Sequence, residues 1–242
     1  MLHAFFRPRC HEVVTAADRS CDRPGDAGWP ESPAEARTLQ EALRDRVIRE
    51  DRFGRLRRIA GIDVAYARRR HLTWAALALS TMPDLLLEES ALAMVPTGFP
   101  YVPGLLSFRE TPAVLEALPL VSHRPDLLMV DGHGYAHPRR FGIACHIGVL
   151  TDTPTIGVAK SRLVGRHEEP GPNRGDRVPL LDGQEVIGMV VRTRPGVRPV
   201  YVSIGHRVSL ERAVELVLAC GRGFRLPEPT RLADKLSRCH GG

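Results

Sequence analysis

The 242 residues contain no CxxC pair, and the five cysteines (Cys10, Cys21, Cys145, Cys220 and Cys239) are scattered and odd in number. That pattern argues against a disulfide framework and against a zinc knuckle, so any metal has to be held mainly by oxygen. Long apolar runs are also missing: none approaches the roughly 18 to 20 residues needed to cross a bilayer. Met1 to Cys10 carries Arg7 and Arg9 without the hydrophobic stretch of a signal peptide. A cytoplasmic protein that avoids membranes is expected. No internal repeat is visible, and Gly132-His133-Gly134 is too short for a nucleotide-binding glycine motif. What is present is ordinary, with 43% hydrophobic and 26% charged residues. Such a composition argues against wholesale disorder, collagen and coiled coil, and the length suits one large domain. Lys and Arg number 34 against 28 Asp and Glu, a net charge of +6 that permits a nucleic-acid partner without requiring one.

The first thirty residues lack either periodicity and are rich in turn formers, so residues 1–30 read as a disordered, mobile tail and 31–242 as the domain. Ser32, Pro33 and Glu35 form a helix start with a capping box, and Leu39, Leu43 and Val47 follow on one face. Three β-compatible stretches come next, at 59–66, 72–79 and 85–94, and suggest a meander. Alternation follows: a helix over 111–118, a strand over 126–131, a helix over 139–150 and a strand over 155–158. The Gly, Pro and charge content of 165–177 reads as a surface loop. Strands over 185–192 and 200–204, a helix over 210–220 and a last helix after Pro227 complete the chain. Strand, helix, strand at this spacing implies parallel pairing in an α/β domain. The order fits a ribonuclease H-like mixed sheet flanked by helices.

Asp63 interrupts the apolar strand Gly61-Ile-Asp-Val-Ala, and Asp131 ends Leu127-Leu-Met-Val-Asp. Either acid alone can simply start a turn. Delivered by neighbouring strands, the two can meet, and like charges in a cleft repel unless a cation lies between them. Glu110 sits at an expected helix entrance, where a favourable charge on the helix dipole is the plainer explanation. Asp234 on the last helix can equally face solvent, since periodicity does not set its direction. Lys160 follows Thr155-Ile-Gly-Val-Ala and is either a solvated strand-end charge or a phosphate holder. Carboxylates from several elements suit magnesium, whose ions can activate water and stabilise the leaving oxygen of a phosphodiester. Pro100-Tyr101-Val102-Pro103-Gly104 is a stiffened loop, read either as a turn packed on the core or as a rigid aromatic tip able to enter a base stack. His137-Pro-Arg-Arg places cations at the expected start of a helix, where exposed amides assist phosphate binding. His133, His146 and His206 lack a ligand partner at i+4 and read as hydrogen-bonding or core residues.

Five blocks in order resemble the endonuclease V family: Ile59-Ala-Gly-Ile-Asp-Val, Phe99-Pro-Tyr-Val-Pro-Gly-Leu-Leu-Ser-Phe-Arg-Glu, Asp131-Gly-His-Gly-Tyr-Ala-His-Pro-Arg-Arg, Pro154-Thr-Ile-Gly-Val-Ala-Lys-Ser-Arg-Leu and Pro227-Glu-Pro-Thr-Arg-Leu-Ala-Asp. The resemblance spans about Arg58 to Leu236. It implies a ribonuclease H-like fold and a Mg2+-dependent DNA repair endonuclease, with Mn2+ as a substitute. Such an enzyme recognises deoxyinosine and hydrolyses the second phosphodiester 3′ to it, leaving a 3′-hydroxyl and a 5′-phosphate. Inosine in RNA is the alternative target. A non-catalytic binder of deaminated nucleic acid is the other alternative, and its signature would be loss of Asp63 or Asp131. By matching blocks, Asp63, Glu110 and Asp131 become the metal site, Asp234 a fourth acid near it, and Lys160 the active-site lysine. Pro100, Tyr101, Val102 and Pro103 match a strand-separating wedge. Gly104, Leu105, Leu106, Gly132, His133 and Gly134 match the hypoxanthine pocket, with His137 close by and Arg139, Arg140 and Arg162 around the cleft. The sequence departs from the family pattern at Tyr135, where a smaller aliphatic residue is common, and at Ile204, where bacterial relatives often have proline. A monomer is expected.

Overall fold

The computed structural model describes residues 14–15, 29–67 and 70–239. The mobile tail expected over 1–30 lies almost wholly outside the described residues. A two-residue strand β1 (Val14–Thr15) pairs parallel with β4 (Leu87–Pro96). Helix α1 (Pro33–Arg44) starts as expected: the Ser32 hydroxyl accepts from the Glu35 amide at 3.2 Å, and Glu35 accepts from the Glu31 amide. It ends before Val47, which nonetheless packs beside Leu43, Phe141 and Val149.

The expected meander is present. Strands β2 (Arg58–Ala67), β3 (Leu72–Thr81) and β4 pair antiparallel in that order. Strands β5 (Leu127–Val130) and β6 (Thr155–Ala159) then extend β2 in parallel. Strands β7 (Arg177–Asp182), β8 (Glu185–Val191) and β9 (Val200–His206) complete one mixed sheet of order β1-β4-β3-β2-β5-β6-β9-β8-β7. β7 is an addition to the expected elements, starting where the expected loop over 165–177 ends. It contains Pro179, which an edge strand tolerates because one side of its backbone has no ladder to complete.

Helix α2 (Leu106–Ala117) begins five residues before the expected start at Thr111, so Pro112 lies inside it. A proline there has no N–H for the carbonyl four residues earlier, that of Phe108. The indole N–H of Trp29 donates to this carbonyl at 2.9 Å, so the helix runs through the proline without a buried orphan. Helix α3 (Ile143–Thr151) starts later than the expected residue 139, because Arg140 has φ 56° and breaks the run. Helices α4 (Leu210–Ala219) and α5 (Glu228–Cys239) follow expectation.

Strand alternation sorts the helices into layers. Ala60 and Ile62 face the core made with Ala113, Val114, Ala144 and Ile147 of α2 and α3. Ile59 faces Ala213, Val214 and Val217 of α4 across the other side. Gly61 and Asp63 share that second face, and α5 crosses there. A Cβ on Gly61 would lie 1.9 Å from the Pro229 carbonyl oxygen, so only glycine lets α5 approach this closely. None of the helices among the described residues is long and apolar enough to cross a membrane.

Candidate active site

The centre forms at the carboxyl ends of the parallel strands. The Asp131 amide donates to the Ile62 carbonyl at 2.8 Å, which seats it beside Asp63 on the neighbouring strand. Helix α5, resting on Gly61, turns Asp234 inward. Asp63, Asp131 and Asp234 each offer a carboxylate oxygen, and these oxygens all lie within 4.8 Å of one another. This grouping differs from the expected metal set. Glu110 stands outside it, in the second turn of α2 rather than at a helix entrance, so the helix-dipole explanation of this acid falls away. Its charge still acts on the others.

Lys160 ends its strand between two of the acids, with Nζ 2.5 Å from Asp131 Oδ2 and 2.6 Å from Asp234 Oδ1. Burial would depress its pKa, and contact with the two carboxylates outweighs that and raises it. Asp234 is the converse: burial pushes up, and the Lys160 and Arg238 cations bring it below the usual carboxylate range. Asp63 is pushed up to about 6, chiefly by burial, with the Asp131 charge adding and the Ser237 hydrogen bond opposing. Glu110 is pushed up to about 8 by burial and by the Asp63 charge. Acids crowded in this way strain against one another, and a hard divalent cation held by them relieves it. The donors are all oxygen, and Cys145 and Cys220 are buried in apolar clusters elsewhere. The residues therefore fit a metal ion of the magnesium type.

A cavity of about 230 Å³ opens at these acids and is lined by Glu110, Asp131, Gly132 and His133. Tyr101, Val102, Pro103, Gly104, Leu106 and His137 line its other walls, joined by Leu163, which was not expected. Two expected pocket residues, Leu105 and Gly134, are not on its surface, nor is Arg139, expected around the cleft. Leu105 is fully buried in the cluster with Phe99 and Phe108. Gly134 lies beneath the pocket, with a virtual Cβ 2.0 Å from the Ile204 carbonyl oxygen. The Arg139 guanidinium reaches the Gly104 carbonyl at 2.7 Å and Gln40 Oε1 at 2.5 Å, a brace behind the pocket wall. Pro100 lines a second cavity on the other side of Tyr101. Tyr101 itself is 68% exposed, the tip of its stiffened loop, whereas Val102 packs against the buried cluster behind it.

His137 is held neutral by burial and by the Arg139 charge, its pKa pushed down to about 4. Its Nδ1 accepts from the Arg139 amide at 3.1 Å, so the proton sits on Nε2 and is donated to the Gly104 carbonyl at 3.0 Å. Both nitrogens thus brace the loop. Gln40 of α1 adds donors to the Gly104 and Phe141 carbonyls. The expected phosphate site at a helix start is corrected for Arg140, whose guanidinium pairs with Asp182 and Glu185 at 2.8 Å each. Tyr135 also bonds Glu185, under the Arg49 guanidinium, and lies outside the cavity.

Three supporting residues escaped the sequence reading. The Ser237 hydroxyl donates to Asp63 Oδ2, and Gln40 braces the pocket as described. The Arg225 guanidinium donates to the carbonyls of Lys160 (2.5 Å), Arg198 and Pro199 (2.9 Å each), fixing the strand end that carries the lysine. Each is a polar residue made specific only by a distant partner, and nothing local marks it.

Comparison with known proteins adds the lineage. A family model described as Endonuclease V matches residues 41–235. An Endonuclease V of Roseiflexus sp. (strain RS-1) is 54% identical over 220 residues, covering 91% of this chain and 96% of the relative. The crystal structure of the Endonuclease V from Streptomyces avermitilis superposes with a TM-score of 0.84 at 47% identity, over 88% of this chain and 94% of that one. The Ciona intestinalis Endonuclease V, solved with a 24mer DNA containing an inosine followed by a ribo-adenosine, gives a TM-score of 0.75 at 32% identity over 85% and 96%. With its acids and its sheet order set out and this agreement running along nearly its whole length, the chain belongs to the endonuclease V family.

Proposed function

We propose that this protein nicks DNA at deoxyinosine. It hydrolyses the second phosphodiester 3′ to the hypoxanthine, leaving a 3′-hydroxyl and a 5′-phosphate, with Mg2+ as cofactor and Mn2+ as a substitute. One observation carries the reading: the small cavity and the acidic group share Asp131, and Glu110 lines that same cavity. A base turned out into the cavity therefore brings its own strand to the carboxylates. Support for the substrate comes from the Ciona relative, solved with inosine-containing DNA.

Base extrusion costs a few kcal/mol, least for a poorly paired base. The exposed Tyr101 ring would fill the gap in the stack, and Pro100 and Pro103 stiffen the loop that carries it. The Gly104 carbonyl, fixed by donors from Gln40, His137 and Arg139, gives the pocket a rigid wall. Asp63 and Asp131 would hold the metal, with Glu110 beside them, and magnesium bound there would supply an activated water and charge stabilisation at the phosphorus. Ser237 fixes one oxygen of Asp63 and so sets which lone pairs remain for a ligand. The Lys160 ammonium is positioned to hold a phosphate oxygen or orient the attacking water, and Asp234 keeps it charged. The bond that breaks is P–O3′, and the departing oxygen takes up a proton.

The test uses an inosine-containing duplex and an RNA of the same sequence, with the break mapped to the nucleotide. The wild-type protein is expected to nick the DNA one nucleotide beyond the lesion, to stop when EDTA removes the metal, and Asp131→Ala is expected to bind without cutting. Undiminished cleavage by Asp131→Ala, or a break elsewhere, overturns the assignment. Preferential cleavage of the RNA moves the target to RNA.

A further inference from the structure

Arg109 precedes Glu110 on α2 and is 92% buried as a residue, with 8% of its surface exposed. Its guanidinium makes no hydrogen bond or ion pair with any described residue. Instead it lies on the Tyr66 ring, with Cζ 3.6 Å from the ring centroid. A buried cation without an acceptor is costly, and stacking on one aromatic face offsets only part of that cost. Stacking covers the flat of the group and leaves its N–H edges for an in-plane acceptor.

Arg109 lines the second cavity, about 990 Å³, whose walls also include Tyr66, His71, Thr97 and Pro100. This cavity meets the base pocket at Tyr101, Leu106 and Glu110. Among the described residues, the one acid on its wall is Glu110, which also lines the smaller cavity beside Asp131. A planar guanidinium stacked on an aromatic ring, with no hydrogen-bond acceptor among the described residues and only the Glu110 charge near it, lines this cavity and suits a bidentate oxyanion.

We infer that Arg109, held by Tyr66, binds a backbone phosphodiester of the substrate strand in the larger cavity, on the side of Tyr101 away from the base pocket and within two nucleotides of the bond that is cut. This rests on the nuclease reading above. The two cavities then take successive parts of one strand, the turned-out base in the smaller and the continuing backbone in the larger, with the acids between them. Arg109 thereby fixes the register that sets where the break falls.

The experiment is a scan of inosine-containing oligonucleotides in which one phosphate at a time is replaced by a neutral methylphosphonate. kcat/KM for nicking is measured with the wild-type protein and with Arg109→Gln. One position is expected to cost the wild type on the order of 10-fold to 100-fold. Arg109→Gln should lose a similar factor on the unmodified substrate, with no further loss at that position and ordinary losses elsewhere. The salt dependence of KM should flatten by about one phosphate's worth, roughly 0.7 to 0.9 in log–log slope. Losses that multiply at every position overturn the inference, while failure of the wild type to nick unmodified inosine DNA overturns the nuclease reading instead. If Arg109→Gln does not fold, Arg109→Lys replaces it. The lysine keeps the charge but not the fork, so sensitivity at the marked phosphate should shrink, and unchanged sensitivity counts against the subsite.

Discussion

His146 offers a quantitative test of how the core is built. It sits on α3, fully buried, with neither ring nitrogen bonded to any described residue. Trp29 stacks on it at 5.4 Å, and Phe108 and Phe141 close the cage at 4.9 and 5.3 Å. Burial alone pushes its pKa down to about 3. An unfolded histidine titrates near 6.5, so between these values the unfolded chain binds a proton that the folded chain refuses. Stability contributed by the neutral ring is therefore complete above about pH 6.5 and is lost as the pH falls toward 3. At pH 5 the loss is about 1.5 pH units at about 1.36 kcal/mol each, or roughly 2 kcal/mol. The perturbation is His146→Phe, which keeps an aromatic ring in an aromatic cage and cannot be protonated. Urea unfolding at pH 7.5, 6.5 and 5.0, at constant ionic strength, gives ΔG for both proteins. The wild type continues to lose stability through His133 and His137, both pushed down to about 4 mainly by burial, and so does the variant. The informative quantity is the difference between the two proteins, expected to move by about 2 kcal/mol in favour of the variant between pH 7.5 and 5.0. Parallel stability curves would refute the reasoning, because they would mean that the ring is protonated inside the folded protein.

Gly61→Ala should cost about 2 to 3 kcal/mol, as overpacking against the Pro229 carbonyl lifts α5. Nicking should fall with it, since Asp234 and Ser237 move with the helix; thermal melting and cleavage assays read the two effects. Tyr101→Ala should leave stability within about 0.5 kcal/mol, as expected for an exposed side chain. It should slow cleavage of an inosine duplex far more than of single-stranded inosine DNA, and equal slowing on both would contradict a wedge. Gln40→Ala strips partners from the Phe141 carbonyl and from Arg139 Nε, at a cost of about 2 to 3 kcal/mol, and should raise KM more than it lowers kcat.

The meander was legible as three short β-compatible stretches rather than by alternation, since β3 is buried along nearly its whole length on both faces and its apolar run is continuous. The hairpin of β7 and β8 carries its own signal, Asp182-Gly183, with Gly183 at φ 64°, yet β7 was missed: the expected loop ended at Arg177, and Pro179 within 178–184 hides an edge strand. The start of α2 was hidden for a different reason. Pro112 reads as a first-turn residue, and only the distant Trp29 indole lets the helix run through it. Asp63 and Asp131 stood out as acids on apolar strands. The inward turn of Asp234 depended on the seat of α5 at Gly61, a contact between backbones that no side-chain pattern announces.

The seat of α5 also governs when the enzyme can exist. Ser237 and Asp63 are 174 positions apart, yet one hydroxyl joins them. A chain interrupted before Glu228, whether still being made or clipped by a protease, keeps the strands bearing Asp63 and Asp131 but lacks the acid that holds Lys160 from the other side. Because Asp234 and Ser237 both lie on α5, a chain ending before Glu228 loses both contacts at once and is expected not to nick inosine-containing DNA.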